Sequence, residues 1–407
     1  MRTACVLLLG LTTACTVVPP DPKQPDCLVV LQGVGCLVDA PAIQRWGLSS
    51  DAGVPSVDAA VPTPVADASI DAGAPDLGVD AGQPDLGVVD GREVIQLAPG
   101  LVTDGPLSLA WTTSDVIVRG DPDRPAVFRT SGPCLLRDRG VELHHVTFEN
   151  ISCVATRRGS ADDQPCVKWV GEQATSNITF RNFSCTGFAT GIIVHPKSGR
   201  IDGITLDHVT MTDIYDPDLS RYSAGFFTQA ADNVRILDST FTRAGIGTCY
   251  SHAVYVQGDS GPVEVARSTF SGGGDVELRS GGTVVDSSFS DAPDLLYFGG
   301  GSVQTAGGVT GSITRSTFAG AKDFPVASPG CGGQVKGRAL RVENTRSLVV
   351  SDISISGSAS STSPILLDAT INGNLATGIA IQNVEWDSTP KGVSLVETRG
   401  SVSWTEK

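Results

Sequence analysis

The chain lacks several features that would assign a class at once. No stretch has a helical periodicity of useful length, which argues against an α-helical fold. Beyond residue 15 no continuous apolar run is long enough to cross a membrane. No CxxC pair or Cys–His cluster occurs, which disfavours structural zinc. Basic residues are outnumbered, with 29 Lys and Arg against 44 Asp and Glu, so nucleic acid is not expected as a partner.

A short string recurs along the last three-quarters of the chain. Val234–Phe241 reads VRILDSTF, and Val263–Phe270 reads VEVARSTF. The steps between the last residues of successive strings run from 19 (Phe270 to Phe289) to 37 (Phe318 to Ile355). Related strings occur at Val146–Cys153, Ile178–Cys185, Ile204–Met211, Ser312–Phe318, Leu348–Ile355 and Ile379–Trp386. Short strands at such a period predict a solenoid whose repeats stack on one another.

Each repeat carries a second apolar run before its string. The runs VELRS and LRVEN alternate apolar and charged residues, as half-buried strands require. Two or three strands per turn, joined by Gly- and Ser-rich corners, predict an all-β right-handed parallel β-helix of about ten coils. A disordered linker is expected to precede it.

Two segments resemble a known superfamily. The opening Glu93–Asp121 (EVIQLAPG…DVIVRGD) and the repeat HAVYVQGDSGPVEVARSTF are similar to the coils of pectin-lyase-like proteins. The resemblance covers residues 92–407. It implies the β-helix fold and an active face made of an outward-facing parallel strand with its flanking loops. One fold hosts many chemistries, so it does not choose among them.

The N-terminal quarter predicts export. Residues 1–15 have one Arg, a short apolar run and the ending LTTAC, which resembles a bacterial lipobox with Thr12 in place of the usual Leu. The resemblance implies cleavage before Cys15 and its lipidation; ordinary signal-peptidase cleavage is the alternative. Residues 16–50 form a small segment with two cysteines, and residues 51–91 form an Asp-, Ala-, Gly- and Pro-rich linker. The linker's aspartates lack the dense spacing of calcium loops, so no cofactor is predicted and calcium is unsupported.

Four cysteines follow the repeat. Cys134 and Cys166 are 32 residues apart, and so are Cys153 and Cys185. Equivalent positions on stacked coils lie about 4.8 Å apart, within the Cα separation that a disulfide tolerates. We therefore predict disulfides Cys134–Cys166 and Cys153–Cys185, with Cys153–Cys166 as the rival pairing.

Two columns follow from aligning the strings. Phe241, Phe270, Phe289 and Phe318 are expected to stack inside the solenoid, with Ile355 and Trp386 continuing the column. Three residues before each anchor the sequence alternates acidic and basic side chains, which predicts a ladder with each Arg between two carboxylates. That column reads Asn150, Asn182, His208, Asp238, Arg267, Asp286, Arg315, Asp352 and Asn383.

The outward residues of the apolar runs form the predicted ligand surface. Sugar rings would pack on Tyr255 and Tyr297, and hydroxyls or uronate carboxylates would meet Gln257 and Arg279. The predicted ligand-binding residues are Lys168, His195, Gln229, Gln257 and Tyr297.

No complete catalytic motif is present. The polygalacturonase pattern has Gly-His-Gly where this chain has Ser251-His252-Ala253, and Asp275, Glu277 and Arg279 only approximate a pectate-lyase site. A Tyr–His acid–base pair remains open for a lyase. The predicted catalytic residues are Glu277, Arg279, Tyr255 and His252.

Two functions stay open at this point. One is an exported, lipid-anchored surface protein that binds a polysaccharide or another cell-surface component, with the lipid as its contact with the membrane. The other is a polysaccharide lyase or hydrolase acting on uronate-containing polymers. The predicted location is the outer membrane or cell surface, or the medium if Cys15 is not lipidated.

Overall fold

The structure, a computed structural model, describes fourteen stretches of the chain. They are residues 2–5, 15–18, 88–109, 114–137, 143–160, 164–171, 175–218, 221–248, 250–300, 307–323, 337–357, 362–370, 375–387 and 393–406. Most of the predicted signal, Cys-containing and linker segments lies outside these residues, so their boundaries and the lipidation of Cys15 stay predictions. Within the described stretches no helix has the length and apolar character needed to span a membrane.

The chain winds as a parallel β-solenoid, which confirms the predicted β-helix. Its strands, numbered in chain order, form three rows. The first row contains β4 (Arg92–Gln96), β7 (Val116–Arg119), β14 (Ile201–Asp207), β17 (Ala231–Leu237), β20 (Val263–Ala266), β23 (Gly282–Val285), β26 (Val309–Thr314) and β33 (Val402–Glu406). The second row contains β5 (Val102–Asp104), β8 (Ala126–Thr130), β15 (Thr210–Tyr215), β18 (Thr240–Ile246), β21 (Thr269–Ser271), β24 (Ser288–Ser290) and β27 (Thr317–Ala319).

Four long strands run through both of these rows. They are β10 (Leu143–Ala155), β12 (Thr175–Thr186), β29 (Thr345–Ser356) and β31 (Ala376–Trp386). Two antiparallel pairings involve short strands near the N-terminus. They are β1 (Arg2–Cys5) with β2 (Cys15–Val18), and β3 (Val88–Val89) with β4.

The third row is an eleven-stranded parallel sheet, which we call the outer sheet. Its strands are β6 (Leu107–Leu109), β9 (Leu135–Arg137), β11 (Pro165–Gly171), β13 (Thr190–Pro196), β16 (Ala224–Thr228), β19 (His252–Val256), β22 (Asp275–Leu278), β25 (Asp294–Gly299), β28 (Arg338–Glu343), β30 (Ile365–Asp368) and β32 (Val396–Arg399). Each strand hydrogen-bonds to the next coil, so a column of side chains runs along the solenoid at every register position.

The interior is filled by alternate residues of every row. In β17, Val234 and Ile236 are buried while Arg235 between them is exposed. The predicted aromatic column is confirmed: ring centroids of Phe241, Phe270, Phe289 and Phe318 follow one another at 5.1, 5.1 and 4.9 Å, with interplanar angles of 24° or less. Ile355 and then Trp386 continue that register, as expected. Stacked identical side chains at one position therefore fix the register of the coils.

The predicted acidic and basic column lies at the corner between the first and second rows. All nine residues adopt the left-handed backbone conformation, with φ between 46° and 57°. Asn and Asp tolerate this conformation best, which explains most of the column. As predicted, Arg267 lies in this column between Asp238 and Asp286, and Arg315 lies between Asp286 and Asp352. Each binds the Asp of the preceding coil through two nitrogens, Asp238 and Asp286 respectively.

The predicted disulfide pairing is wrong. The bonds are Cys134–Cys153 and Cys166–Cys185, with Cα separations of 5.9 and 6.1 Å. The stacking itself was correct, because Cys153 pairs in register with Cys185 and Cys134 donates its N–H to the carbonyl of Cys166. Side chains stacked in register project in parallel and stay a full strand spacing apart, whereas those from two different rows converge in the interior. Each bond therefore crosses the interior between the outer sheet and the second row.

Candidate functional site

The candidate site lies on the solvent side of the outer sheet, over β19, β22, β25 and β28. Tyr255, Glu277, Tyr297 and Arg341 are neighbours at one register position on these four successive strands. Their flanking residues, such as Val254 and Val256, point into the core because side chains alternate along a strand. The site is therefore built on rigid sheet rather than on loops.

A bulge in β19 brings His252 to the outer side. His252 pairs with Asp275, but the next pair is Val254 with Val276, so Ala253 is an extra residue in β19. Both Ala253 and Val254 belong to the apolar core. In an unbroken strand His252 would share the inward side of Val254; the extra residue reverses its direction, which is a common role of bulges beside functional sites.

Two glycines allow the neighbouring chain to pass close to this bulge. Gly245 has a φ of +71°, and a Cβ there would lie 2.0 Å from the carbonyl oxygen of His252. A Cβ on Gly274 would lie 2.3 Å from the carbonyl oxygen of Ser251. Neither position has room for a side chain, so at both glycines the chain packs directly against the backbone of Ser251 and His252.

Two carboxylates hold the imidazole of His252. Its Nδ1 lies 2.5 Å from Asp275 Oδ1, and its Nε2 lies 3.2 Å from Glu277 Oε2. The other oxygen of Glu277 accepts a hydrogen bond of 2.6 Å from Arg279 Nε. His252 and Glu277 are buried, while the Arg279 side chain is 26% exposed. Arg279 is thus the most exposed charged member of the group.

Two tyrosines complete this cluster. The ring of Tyr255 lies 4.6 Å from that of His252, centroid to centroid, and the Arg279 guanidinium carbon lies 5.0 Å from the Tyr255 centroid. Tyr222 approaches His252 with a centroid distance of 6.3 Å. Its hydroxyl is buried, and among the described residues it has no hydrogen-bond partner. Tyr222 comes from the connection between β15 and β16, where no periodicity in the sequence marks it as part of the site.

The surroundings shift the protonation equilibria of the cluster. Burial lowers the pKa of His252, but the charges of Asp275 and Glu277 outweigh it, so the net shift is upward and favours imidazolium. Burial raises the pKa of Glu277 above its ordinary value, against the opposing charges of His252 and Arg279. Burial likewise raises the pKa of Tyr255, which keeps its phenol protonated. Linked shifts of this kind are typical of proton-transfer sites.

A second group of similar composition lies two strands along. Arg341 Nη2 lies 2.6 Å from Glu343 Oε1, and the Arg341 guanidinium carbon lies 4.6 Å from the Tyr297 centroid. Asp294 is 3.7 Å from Arg341 Nη1. Burial raises the pKa of Asp294 to about 7, although Arg341 partly offsets the shift.

The structure brings together the four predicted catalytic residues but spreads the predicted ligand residues along the sheet. Glu277, Arg279, Tyr255 and His252 form one cluster, whereas Lys168 lies on β11, three strands before Tyr255. His195 packs edge-on against Phe227 with a centroid distance of 5.8 Å. Gln229 and Gln257 directly follow β16 and β19, and both are half-buried.

The two tyrosine faces are not open to sugar rings as predicted. Tyr255 and Tyr297 are each only 9% exposed, since an arginine covers a face of each ring. The expectation failed because the sequence shows which residues share a side of the sheet but not which long side chain folds over its neighbour. The groups presented to a ligand are therefore the guanidiniums.

Two groups of described residues each place three ligand atoms within 4.8 Å of one another. The first is Asp207, His208 and Asp238 at an exposed corner, where His208 Nδ1 lies 2.7 Å from Asp207 Oδ1. The second is His252, Asp275 and Glu277, in which both ring nitrogens already contact carboxylates. A cation would have to displace those contacts, so neither group is assigned to a metal.

Comparison with known proteins gives no assignment. No family model matches the chain, and no curated protein matches it. One similar solved structure is the A-module of the mannuronan C-5 epimerase AlgE4 from Azotobacter vinelandii, with 10% identity and a TM-score of 0.37, covering 78% of this chain and 91% of that one. Another is a mannuronic-acid-specific polysaccharide family 6 lyase from human gut microbiota, with 9% identity and a TM-score of 0.28, covering 77% and 82%. These similarities are too weak to assign a reaction to this chain. The function is therefore argued from the side chains of the candidate site.

Proposed function

We propose that the protein is a polysaccharide lyase that cleaves uronate-containing polymers by proton transfer at the His252 cluster. One observation carries the proposal: Tyr255, His252, Glu277 and Arg279 converge on the same patch of the outer sheet, with a proton donor beside a buried His–carboxylate pair. Such a set combines a proton donor, a proton acceptor and an anion-binding group, which are the parts that β-elimination next to a carboxylate requires.

A purely structural role accounts poorly for this cluster. Burying ions is costly, and apolar residues of similar volume often stabilise a protein as well or better. The neighbouring position on β16 shows the alternative, since Phe227 occupies the same register as Tyr255 with an apolar ring. The buried His252 and Glu277, with the half-buried Asp275, therefore indicate a functional demand.

Each residue has a role in the proposed reaction. Arg279 binds the uronate carboxylate and so acidifies the C5 proton beside it. Glu277, in contact with the imidazolium of His252, accepts that proton, because a buried carboxylate of raised pKa is a stronger base than an exposed one. Tyr255 donates its phenolic proton to the leaving glycosidic oxygen. The C5–H and C4–O bonds break, and their electrons form the C4–C5 double bond and the new hydroxyl.

The setting agrees with a polysaccharide at the cell surface. Two disulfides are typical of exported proteins. We propose that the chain is exported and is attached to the membrane only through a lipid on Cys15, with a polymer of the cell surface or surroundings as its partner. Neither a resident cofactor nor nucleic acid has a part in this account.

A second candidate is a protein that binds such a polymer without cleaving it. The observation that favours it is the closure of the cluster: both His252 nitrogens contact carboxylates, and Tyr255 is only 9% exposed. In that case Arg279 would bind the carboxylate and no proton would move.

An activity screen separates the two. The protein and its Arg279→Gln variant would be incubated with a panel of polyuronates, and the ultraviolet absorbance of unsaturated ends would be followed together with reducing ends. Arg315→Gln is the matched control, since it removes an arginine paired with a carboxylate at an exposed corner. A lyase produces absorbance that falls at least tenfold in Arg279→Gln and persists in the control. Reducing ends without absorbance would mean hydrolysis, and binding without either product would leave the second candidate.

A further inference from the structure

The outer sheet carries the arginine–tyrosine–glutamate arrangement twice. In the first copy Glu277 lies on β22, Arg279 directly follows that strand, and Tyr255 lies on the preceding strand, β19. In the second copy Arg341 and Glu343 lie on β28, with Tyr297 on β25. The order along the strand is reversed, Glu-x-Arg in one and Arg-x-Glu in the other, yet the contacts are the same. Two sequences of opposite order thus give the same arrangement of arginine, tyrosine and glutamate side chains.

The two copies agree closely in geometry. The arginine–glutamate contacts are 2.6 Å in both, and the guanidinium carbons lie 5.0 and 4.6 Å from their tyrosine centroids. The Arg279 and Arg341 side chains are 26% and 25% exposed, while the glutamates beneath them are buried. A guanidinium has five donors in a planar fork, and the carboxylates in contact with these arginines do not use them all. Each arginine can therefore bind an anionic group from the solvent side.

The copies differ in the group that would move a proton. His252 borders Tyr255, and its Nε2 contacts Glu277. In the second copy the hydroxyl of Tyr297 is hydrogen-bonded to Glu343 instead, and the ring edge packs against the backbone of Gly300, where a Cβ would lie 2.8 Å from Tyr297 Cζ. Asp294, not a histidine, completes the contacts of Arg341. The second copy therefore keeps the arginine that can hold an anion but lacks the histidine of the first.

We infer that Arg341, supported by Tyr297 and Glu343, forms a second subsite for an acidic sugar. For its substrate class the inference rests on the proposed function, but the binding site would exist whether or not the polymer is cleaved. The two tyrosines are two strands apart, about 9.6 Å at the usual strand spacing. The two arginines are also two strands apart, but Arg279 lies two residues beyond Glu277, which is the position level with Arg341. A polymer held at both arginines therefore runs obliquely across the strands.

This arrangement sets a minimum length for the ligand. A disaccharide can occupy only one arginine, whereas a tetrasaccharide can reach both. Linking two sites in this way raises affinity without any new kind of contact, provided that the ligand spans them. Long oligouronates are consequently expected to bind more tightly than short ones, and the gain is expected to depend on Arg341.

The test is isothermal titration of the full chain with defined uronate oligosaccharides of two and of four to six residues. Arg341→Gln should weaken binding of the longer oligosaccharides by roughly ten- to a hundredfold, the loss of a charge-assisted pair, and change disaccharide binding much less. Arg341→Lys keeps the charge but loses the fork, and should fall between the two. Arg315→Gln, at an exposed corner away from the outer sheet, is the control for charge.

The outcomes separate this inference from the proposed function. Tight, Arg341-dependent binding without product would uphold the subsite and overturn the lyase. Cleavage with wild-type affinity in Arg341→Gln would uphold the lyase and overturn the subsite. A folded variant that loses affinity for short and long ligands equally would also overturn the subsite, because Arg341 would then act on the first site.

Titration with a sulfated polymer of equal charge distinguishes carboxylate from sulfate recognition. Tighter binding of the sulfated polymer would overturn the acidic-sugar assignment in favour of a sulfate site.

Discussion

Tyr255 and Tyr297 occupy the same register position, and the difference between them defines the site. Each lies under an arginine and near a buried glutamate. Only Tyr255 has an imidazole beside it, at a centroid distance of 4.6 Å. The chemistry proposed for the protein therefore depends on one histidine, which a single extra residue in β19 turns to the outer side.

The first prediction concerns the phenolic proton. Tyr255→Phe should lower the rate of elimination by roughly 10²–10⁴-fold, the usual contribution of a general acid. The free energy of unfolding should change by no more than about 1 kcal/mol, because the ring and its packing remain. Tyr215→Phe is the control: Tyr215 also lies under an arginine, with Arg158 at 3.6 Å, but on the second row. Equal activity of the two variants would remove Tyr255 from the mechanism.

The second prediction concerns pH and Asp294. Its pKa is raised from 3.8 to about 7, so the folded protein holds a proton that the unfolded chain has released. The stability linked to that proton is complete below about pH 4 and is lost as the pH rises through 7. Asp294→Asn has no such loss. The free energy of unfolding would be measured with urea at pH 4 and pH 8. Between these pH values, that of the variant should rise relative to that of the wild type by on the order of 2–4 kcal/mol. A difference that does not vary with pH would contradict it.

Part of the site follows from the sequence and part does not. Alternation in the apolar runs placed Tyr255, Glu277 and Tyr297 on the outer side, as the structure has them. Simple parity would place His252 inward, and only the bulge reverses it. Tyr222 had no signal at all, because it reaches the cluster from a connecting segment. Local periodicity thus predicts the direction of side chains inside strands but gives no information about residues in connecting segments.

At the scale of the repeat, each position of the string ending in Ser-Thr-Phe or Ser-Ser-Phe has its own structural role. The phenylalanine fills the core, and the residue before the serine turns the corner in the left-handed conformation. The buried serine hydroxyl accepts a hydrogen bond from the backbone N–H of the serine one coil earlier, as Ser268 does from Ser239 at 3.1 Å. The recurrence was visible in the sequence, whereas the ladder of buried hydroxyls required the coordinates.

The disulfides show the limit of reasoning from spacing. A common step of 32 residues correctly indicated equivalent register positions for the cysteines. It could not show that two rows of one solenoid converge closely enough for a bond between them. Spacing along the chain determines which residues stack, and the cross-section of the coil determines which side chains meet.

The third prediction concerns these bonds. Each spans a sequence separation of 19, for which the loss of loop entropy is worth about 3 kcal/mol. Replacing both Cys166 and Cys185 with serine should lower the free energy of unfolding by about that amount. Peptide mapping without reduction should recover Cys134 linked to Cys153 and Cys166 linked to Cys185. Recovery of Cys134 linked to Cys166 would contradict the structure and restore the pairing expected from spacing.

At the scale of the whole molecule, the solenoid converts a one-dimensional repeat into a long surface. Eleven strands of the outer sheet present their side chains at one strand spacing, and two arginine–tyrosine pairs recur along it. An extended acidic polymer matches such a surface because both are periodic along one axis. In the other two rows, the phenylalanine column and the corner ion pairs stabilise the stacking of successive coils.

The most direct test of the account is proton abstraction itself. A polyuronate bound by the protein would be incubated in deuterated water and followed by nuclear magnetic resonance. The account predicts that the C5 proton signal disappears as a vinyl C4 proton signal of the unsaturated end appears, and that Tyr255→Phe slows the vinyl signal. A saturated complex in which the C5 signals persist unchanged would show that no proton moves, and the outer sheet would then be a binding surface alone.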